Sequence, residues 1–176
     1  MAYLFHLLSM TPIDQLLGAP TSFLDQLFSV LANDGIDVSN YELDHICYRV
    51  ADHERYEDLK TNLAGIGHLL GENLIGGRPI ASFRLREPIR YQEREIYVLE
   101  LPAPKAGSPY PEGFEHVEFV IDQPLEDFVA RFPALPFKTH GLAKAINADV
   151  QLSYDGFGVK FHRQSLEEVI RQEDAA

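Results

Sequence analysis

A chain of 176 residues with 45% hydrophobic content can bury a sizeable core and fold as one domain, or as two small modules sharing a core. Its formal net charge of −12 opposes binding to DNA or RNA, which needs a clustered basic face, and no apolar run reaches the ~20 residues of a membrane helix. The single cysteine, Cys47, excludes an internal disulfide and a multi-cysteine zinc site, so any metal has to sit on histidine and carboxylate.

The opening "MAYLFHLLSM" lacks the basic n-region of a secretory signal, and the expectation is a soluble cytoplasmic protein. "TPIDQLLG" follows as a short helix. In "TSFLDQLFSVLANDG" the residues Phe23, Leu24, Leu27, Phe28 and Leu31 recur at helical spacing and a glycine ends the pattern, which predicts an amphipathic helix. The period then changes from 3.6 to 2. "ELDHICYRV" alternates as a strand, "DHERYEDLKTNLAGIG" is helical, and "HLLGENLI", "IASFRLREPI" and "EIYVLELP" are three strands separated by Gly-Gly or polar turns.

The same order then starts again. "FEHVEFVI" is a strand, "PLEDFVARFP" a short helix, "LPFKTH" a weak strand, "ADVQLSYD" and "GVKFH" two strands, and "SLEEVIRQED" a closing helix capped by Ser165. The expected fold class is therefore α+β: two tandem βαβββ modules forming a cupped mixed sheet, with extra helices at both ends. A single domain over 1–176 would comprise a helical extension (1–40), module 1 (41–103), a Pro/Gly-rich linker (104–112) and module 2 with its C-terminal helix (113–176).

Asp44-His45-Ile46-Cys47 lines up with Glu115-His116-Val117-Glu118, so each module opens with an acid-His pair, and the last strands end in Glu100 and His162. Strand alternation puts His45, Cys47 and Arg49 on one face, and His116 with Glu118 on the matching face. Such a face can be ordinary solvated surface, but histidine is an uncommon choice there, and its recurrence with Glu100 and His162 points to a shared site. If the strands are regular, Asp44 and Glu115 face away from their histidines and cannot support them. Cys47 reads as a small packed spacer. "GGRPIASFRLREPIR" gathers Arg78, Arg84, Arg86 and Arg90, either as a solvated strand face or as an anion-binding group.

Together "LDHICYRV", "LLGENLIGGRPIASFRLREPI", "VLELPAPK", "GFEHVEFVI" and "GVKFHRQSLEEVI" resemble the YecM family of small bacterial proteins, within the vicinal-oxygen-chelate superfamily of glyoxalase and the extradiol dioxygenases. The resemblance runs from about residue 20 to the end. It implies a cup with a divalent metal (Zn, Ni, Fe or Mn) at its floor, held by His45, Glu100, His116 and His162. Glu118 is then the candidate catalytic base, and Arg49, Arg84 and Lys160 bind the carboxylate or phosphate of a small anionic, oxygen-rich molecule. The last ligand is more often Glu in that superfamily, so His162 departs from its pattern.

The activity so implied is that of a metal-dependent isomerase, lyase or oxygenase. The alternative is a cup that binds or sequesters such a ligand without turning it over. No nucleic acid and no membrane is expected as a partner, and a monomer or homodimer is the expected state.

Overall fold

The computed structural model describes residues 10–107 and 110–175. The opening segment 1–9, read above as lacking a signal, and part of the linker, 108–109, lie outside them. Two helices lead in: α1 (Pro12–Leu17) and α2 (Thr21–Asn33). The first is held by a capping box in which Thr11 accepts from the Asp14 N–H and Asp14 accepts from the Thr11 N–H. The second turns its Leu24, Leu27 and Leu31 stripe fully into the core.

Module 1 consists of β1 (Glu42–Arg49), α3 (His53–Ile66), β2 (Gly67–Ile75), β3 (Arg78–Tyr91) and β4 (Arg94–Pro102). Asp52 caps α3 through the Arg55 N–H at 2.8 Å. The β2–β3 hairpin turns through Gly76 and Gly77, both at positive φ, where a two-residue turn requires glycine. Module 2 consists of β5 (Gly113–Val120), α4 (Leu125–Ala130), a 3-10 turn (His140–Ala143), β6 (Asp149–Ser153), β7 (Gly158–His162) and α5 (Leu166–Asp174), which Ser165 caps. Among the described residues no helix is long and apolar enough to cross a membrane.

Among the described residues seven strands form one mixed sheet in the order β2-β3-β4-β1-β5-β7-β6. β1 and β5 pair antiparallel at its centre, and each has the last strand of its own module parallel on its other side. The two modules thus meet about a pseudo-twofold between their first strands. The expected strand "LPFKTH" is reduced to one antiparallel bridge between Lys138 and Gln151. Pro136 removes a backbone donor from this short segment, and a ladder needs such donors.

One face of the sheet packs against the helices with Ile46, Val50, Phe83, Leu99, Val117, Phe119, Val159 and Phe161, all fully buried or nearly so. Each such side chain contributes about 1.5–3 kcal/mol of burial. The other face curls into the cup. The closing helix α5 does not stay with module 2: Ile170 packs on Gly71 of β2, Glu167 pairs with Arg84 of β3, and Glu173 accepts from Asn73. It therefore walls the cup from the module 1 side.

Candidate metal and ligand site in the cup

The pairing of β1 with β5 slips twice. Leu43 faces Phe119 while His45 faces Glu118, leaving Asp44 as an extra residue; Cys47 faces His116 while Tyr48 faces Phe114, leaving Glu115 as another. Each module thus carries a bulge at the acid before its histidine. A bulge breaks the two-residue alternation and re-aims a side chain. As a result Asp44 Oδ2 lies 2.7 Å from His45 Nδ1, and Glu115 Oε2 is hydrogen-bonded to His116 Nδ1. The expectation that both acids face away from their histidines is overturned.

These carboxylates accept from Nδ1–H and so leave Nε2 of each ring as the inward-facing nitrogen, the arrangement in which imidazole ligates metals. His45 Nε2 has no hydrogen-bond partner among the described residues and stands 3.4 Å from Glu118 Oε1. His116 Nε2 is 3.2 Å from the same oxygen and 3.6 Å from Glu100 Oε2. One ligand atom from each of His45, Glu100, His116 and Glu118 falls within 4.8 Å of the others. Two imidazoles and carboxylate oxygen around a buried nitrogen without a hydrogen-bond partner among the described residues fit a divalent metal ion.

The charges are strongly coupled. Burial disfavours a charged His45 ring, but the Glu118 and Asp44 carboxylates outweigh it and push the ring up to about 10. Burial works against ionised Glu118 as well, yet the Lys160 ammonium and then His45 hold it well below the usual carboxylate range. Cys47 is fully buried and burial pushes its thiol up, as suits a packed spacer.

His162 does not join this group. The pseudo-twofold carries His45 onto His116 and Cys47 onto Glu118. Cys47 pairs with Glu100 on β4, whereas Glu118 pairs with Lys160 on β7, so the counterpart of Glu100 is Lys160. His162 lies two residues further, opposite Val120. It is fully buried, its Nδ1 is 3.0 Å from Asn147 Oδ1 and its Nε2 is 3.5 Å from Asp44 Oδ2, and burial pushes its pKa down. It abuts the Asp44 side of the His45 pair, and Glu118 takes the fourth place in the inward group.

The cup above this floor encloses about 430 Å³. Of the three expected anion-binding residues, Arg49 and Lys160 line it. Arg49 lies 3.3 Å from Glu115 and stacks on Tyr110 with its guanidinium carbon 4.5 Å from the ring centre. Lys160 Nζ lies 2.7 Å from Glu118 Oε1. Arg84 is not in the cup. It pairs with Glu167 at 2.7 Å and stacks over Tyr97, on the far side of the first turn of α5, because that helix crosses between it and the floor. Arg78 is the member of the arginine run that does reach the cup, donating to Tyr110 OH at 2.7 Å and to the Ala103 carbonyl at 3.1 Å. A larger hollow of about 760 Å³ between α2 and the β3–β4 turn is lined by none of the described histidines.

The paired modules, with a carboxylate-supported histidine on each central strand, define a small two-module cup protein with a candidate metal centre. Residues 13–154 match the family model described as YecM protein, and the chain belongs to the YecM family. It is 29% identical over 170 residues to Protein YecM of Escherichia coli strain K12, covering 88% of this chain and 90% of that one. It is also 33% identical over 107 residues to an uncharacterized protein of Haemophilus influenzae, covering 60% of this chain and 56% of the relative. A solved structure titled "Structural Genomics, Protein EC4020" matches with a TM-score of 0.74 at 29% identity, over 86% of this chain and 87% of that one.

Proposed function

We propose that the protein is a divalent-metal-dependent enzyme of the vicinal-oxygen-chelate type, acting on a small anionic, oxygen-rich molecule held in the cup. The observation that carries this reading is the pair of acid-His units whose Nε2 atoms face Glu100 and Glu118 at one point of the floor. Residues able to hold the ion are His45, Glu100 and His116, with Glu118 adjacent. When bound, such an ion supplies Lewis acidity to neighbouring oxygens of the substrate.

The chain's own groups divide the remaining work. Asp44 and Glu115 fix the tautomer and orientation of the two imidazoles. Glu118, kept ionised by Lys160, is placed to accept a proton from a substrate carbon or hydroxyl. Arg49, held over the Tyr110 ring, offers its guanidinium to a carboxylate or phosphate, and α5 excludes water from the module 1 side.

The test is metal analysis of tag-free protein together with titration of Zn, Ni, Mn and Fe(II) into wild type and His116→Ala. Wild type should hold close to one ion per chain and the variant should bind far more weakly. If no divalent ion binds wild type more tightly than the variant, the reading fails. Tight metal binding without turnover of small oxo- and hydroxyacids would leave the sequestering role instead.

A further inference from the structure

We propose that Lys160 keeps Glu118 off the metal, limiting the ion to His45, Glu100 and His116 and reserving Glu118 for proton transfer. This rests on the metal reading above and concerns which of the chain's carboxylates ligate. The pseudo-twofold makes Lys160 the counterpart of Glu100: one last strand brings a carboxylate to the floor, and the other brings an ammonium to the equivalent place. It also makes Glu118 the counterpart of Cys47, so module 2 contributes an acid where module 1 contributes a neutral side chain.

The two departures from symmetry cancel each other. Lys160 Nζ sits 2.7 Å from Glu118 Oε1 and 3.5 Å from His116 Nε2, with its side chain only 24% exposed. Its antiparallel neighbour on β6 is the neutral Gln151, which offers no competing charge. Glu118 Oε1 is the oxygen nearest to both inward nitrogens, at 3.4 Å from His45 and 3.2 Å from His116. Oε2 lies towards His162, at 3.9 Å from its Nε2.

The ammonium therefore lies on the Glu118 oxygen nearest both inward nitrogens, and a divalent ion sharing that oxygen would meet a like charge at close range. The set that remains, two histidines and one carboxylate, leaves coordination positions open for substrate oxygens. Lys160 acts here as a positioning residue, through Glu118.

The experiment is a double-variant cycle read as affinity for Mn(II), Zn(II) and Co(II), with the visible spectrum of bound Co(II) as a second readout. Lys160→Met should raise affinity on the order of tenfold or more, because Glu118 becomes free to ligate. The gain should vanish in Lys160→Met/Glu118→Gln, and Glu118→Gln alone should change affinity less than about threefold. The Co(II) spectrum should change in Lys160→Met and return to the wild-type form in the double variant. Lys160→Gln repeats the cycle should the Met variant fail to fold.

An equal gain in both backgrounds would mean plain charge repulsion, and a large loss from Glu118→Gln alone would mean that Glu118 already ligates; either overturns the proposal while leaving the metal reading intact. Absence of binding by wild type and every variant overturns both.

Discussion

Asp44 and His45 are consecutive in one strand, yet their side chains meet at 2.7 Å because Asp44 is the extra residue of a bulge. Its Oδ2 also accepts from the Leu166 N–H at 2.9 Å, so the acid that orients the ring also anchors the first turn of α5. Glu115 and His116 repeat the arrangement in module 2. An amide at either position keeps the shape but can donate to Nδ1, which moves the ring proton to Nε2 and blocks ligation. Asp44→Asn and Glu115→Gln are each expected to weaken metal binding by roughly 10–100-fold with the fold retained, measured by calorimetric titration beside far-UV circular dichroism.

The metal-free protein should lose stability towards alkaline pH. His45 is raised from 6.5 to about 10 in the folded state, so its contribution is fully present below pH 6.5 and is lost as the pH climbs through about 10. Glu118 has the opposite sign: its pKa is depressed, so its contribution is present above 4.5 and is lost on acidification. Chemical denaturation of chelator-treated wild type and His45→Gln between pH 6.5 and 10 isolates the first effect. The wild-type curve should fall more steeply than the variant curve, and parallel curves would contradict the charge assignment of His45.

Binding of an ion to the folded state alone stabilises it by about 4 kcal/mol at a thousandfold excess over Kd, which for a chain of this size raises Tm by about 8–16 °C. Scanning calorimetry with and without Zn or Mn should show that rise in wild type and its loss on adding EDTA. His116→Ala should show almost none of it.

Arg49 is expected to control anion binding in the cup and Arg84 is not, because α5 separates Arg84 from the floor. With the metal-loaded protein and oxalate as probe, Arg49→Gln should weaken binding by at least about tenfold, the scale of a charged hydrogen bond. Arg84→Gln should leave it within about twofold and cost only the small stability of an exposed ion pair.

A Cβ on Gly141 would come within 2.5 Å of both the Asp149 carbonyl oxygen and its carboxylate. This contact presses the 3-10 turn onto β6 where the missing strand would otherwise cover the sheet. Gly141→Ala should therefore cost roughly 1–3 kcal/mol and lower Tm by several degrees, whereas alanine at Gly65, which meets no neighbour, should be close to neutral.

Local pattern by itself determined the element order of module 1, that of module 2 apart from the strand expected at 135–140, the cap Ser165, and the faces that hold Ile46, Val117 and Phe119, since helix and strand periods are properties of short windows. The repeated acid-His pair was equally legible as a repeat, and it led to the cup. Only the tertiary structure decided how those residues meet.

Bulges arise from pairing between distant strands, so the sequence could not show that Asp44 and Glu115 turn to their own histidines. Register between β5 and β7 set Lys160, and not His162, opposite Glu118, a two-residue difference that aligned strand ends do not reveal. The path of α5 across β2 and β3 removed Arg84 from the site, because a helix docks where its apolar face finds cover and not where its module ends.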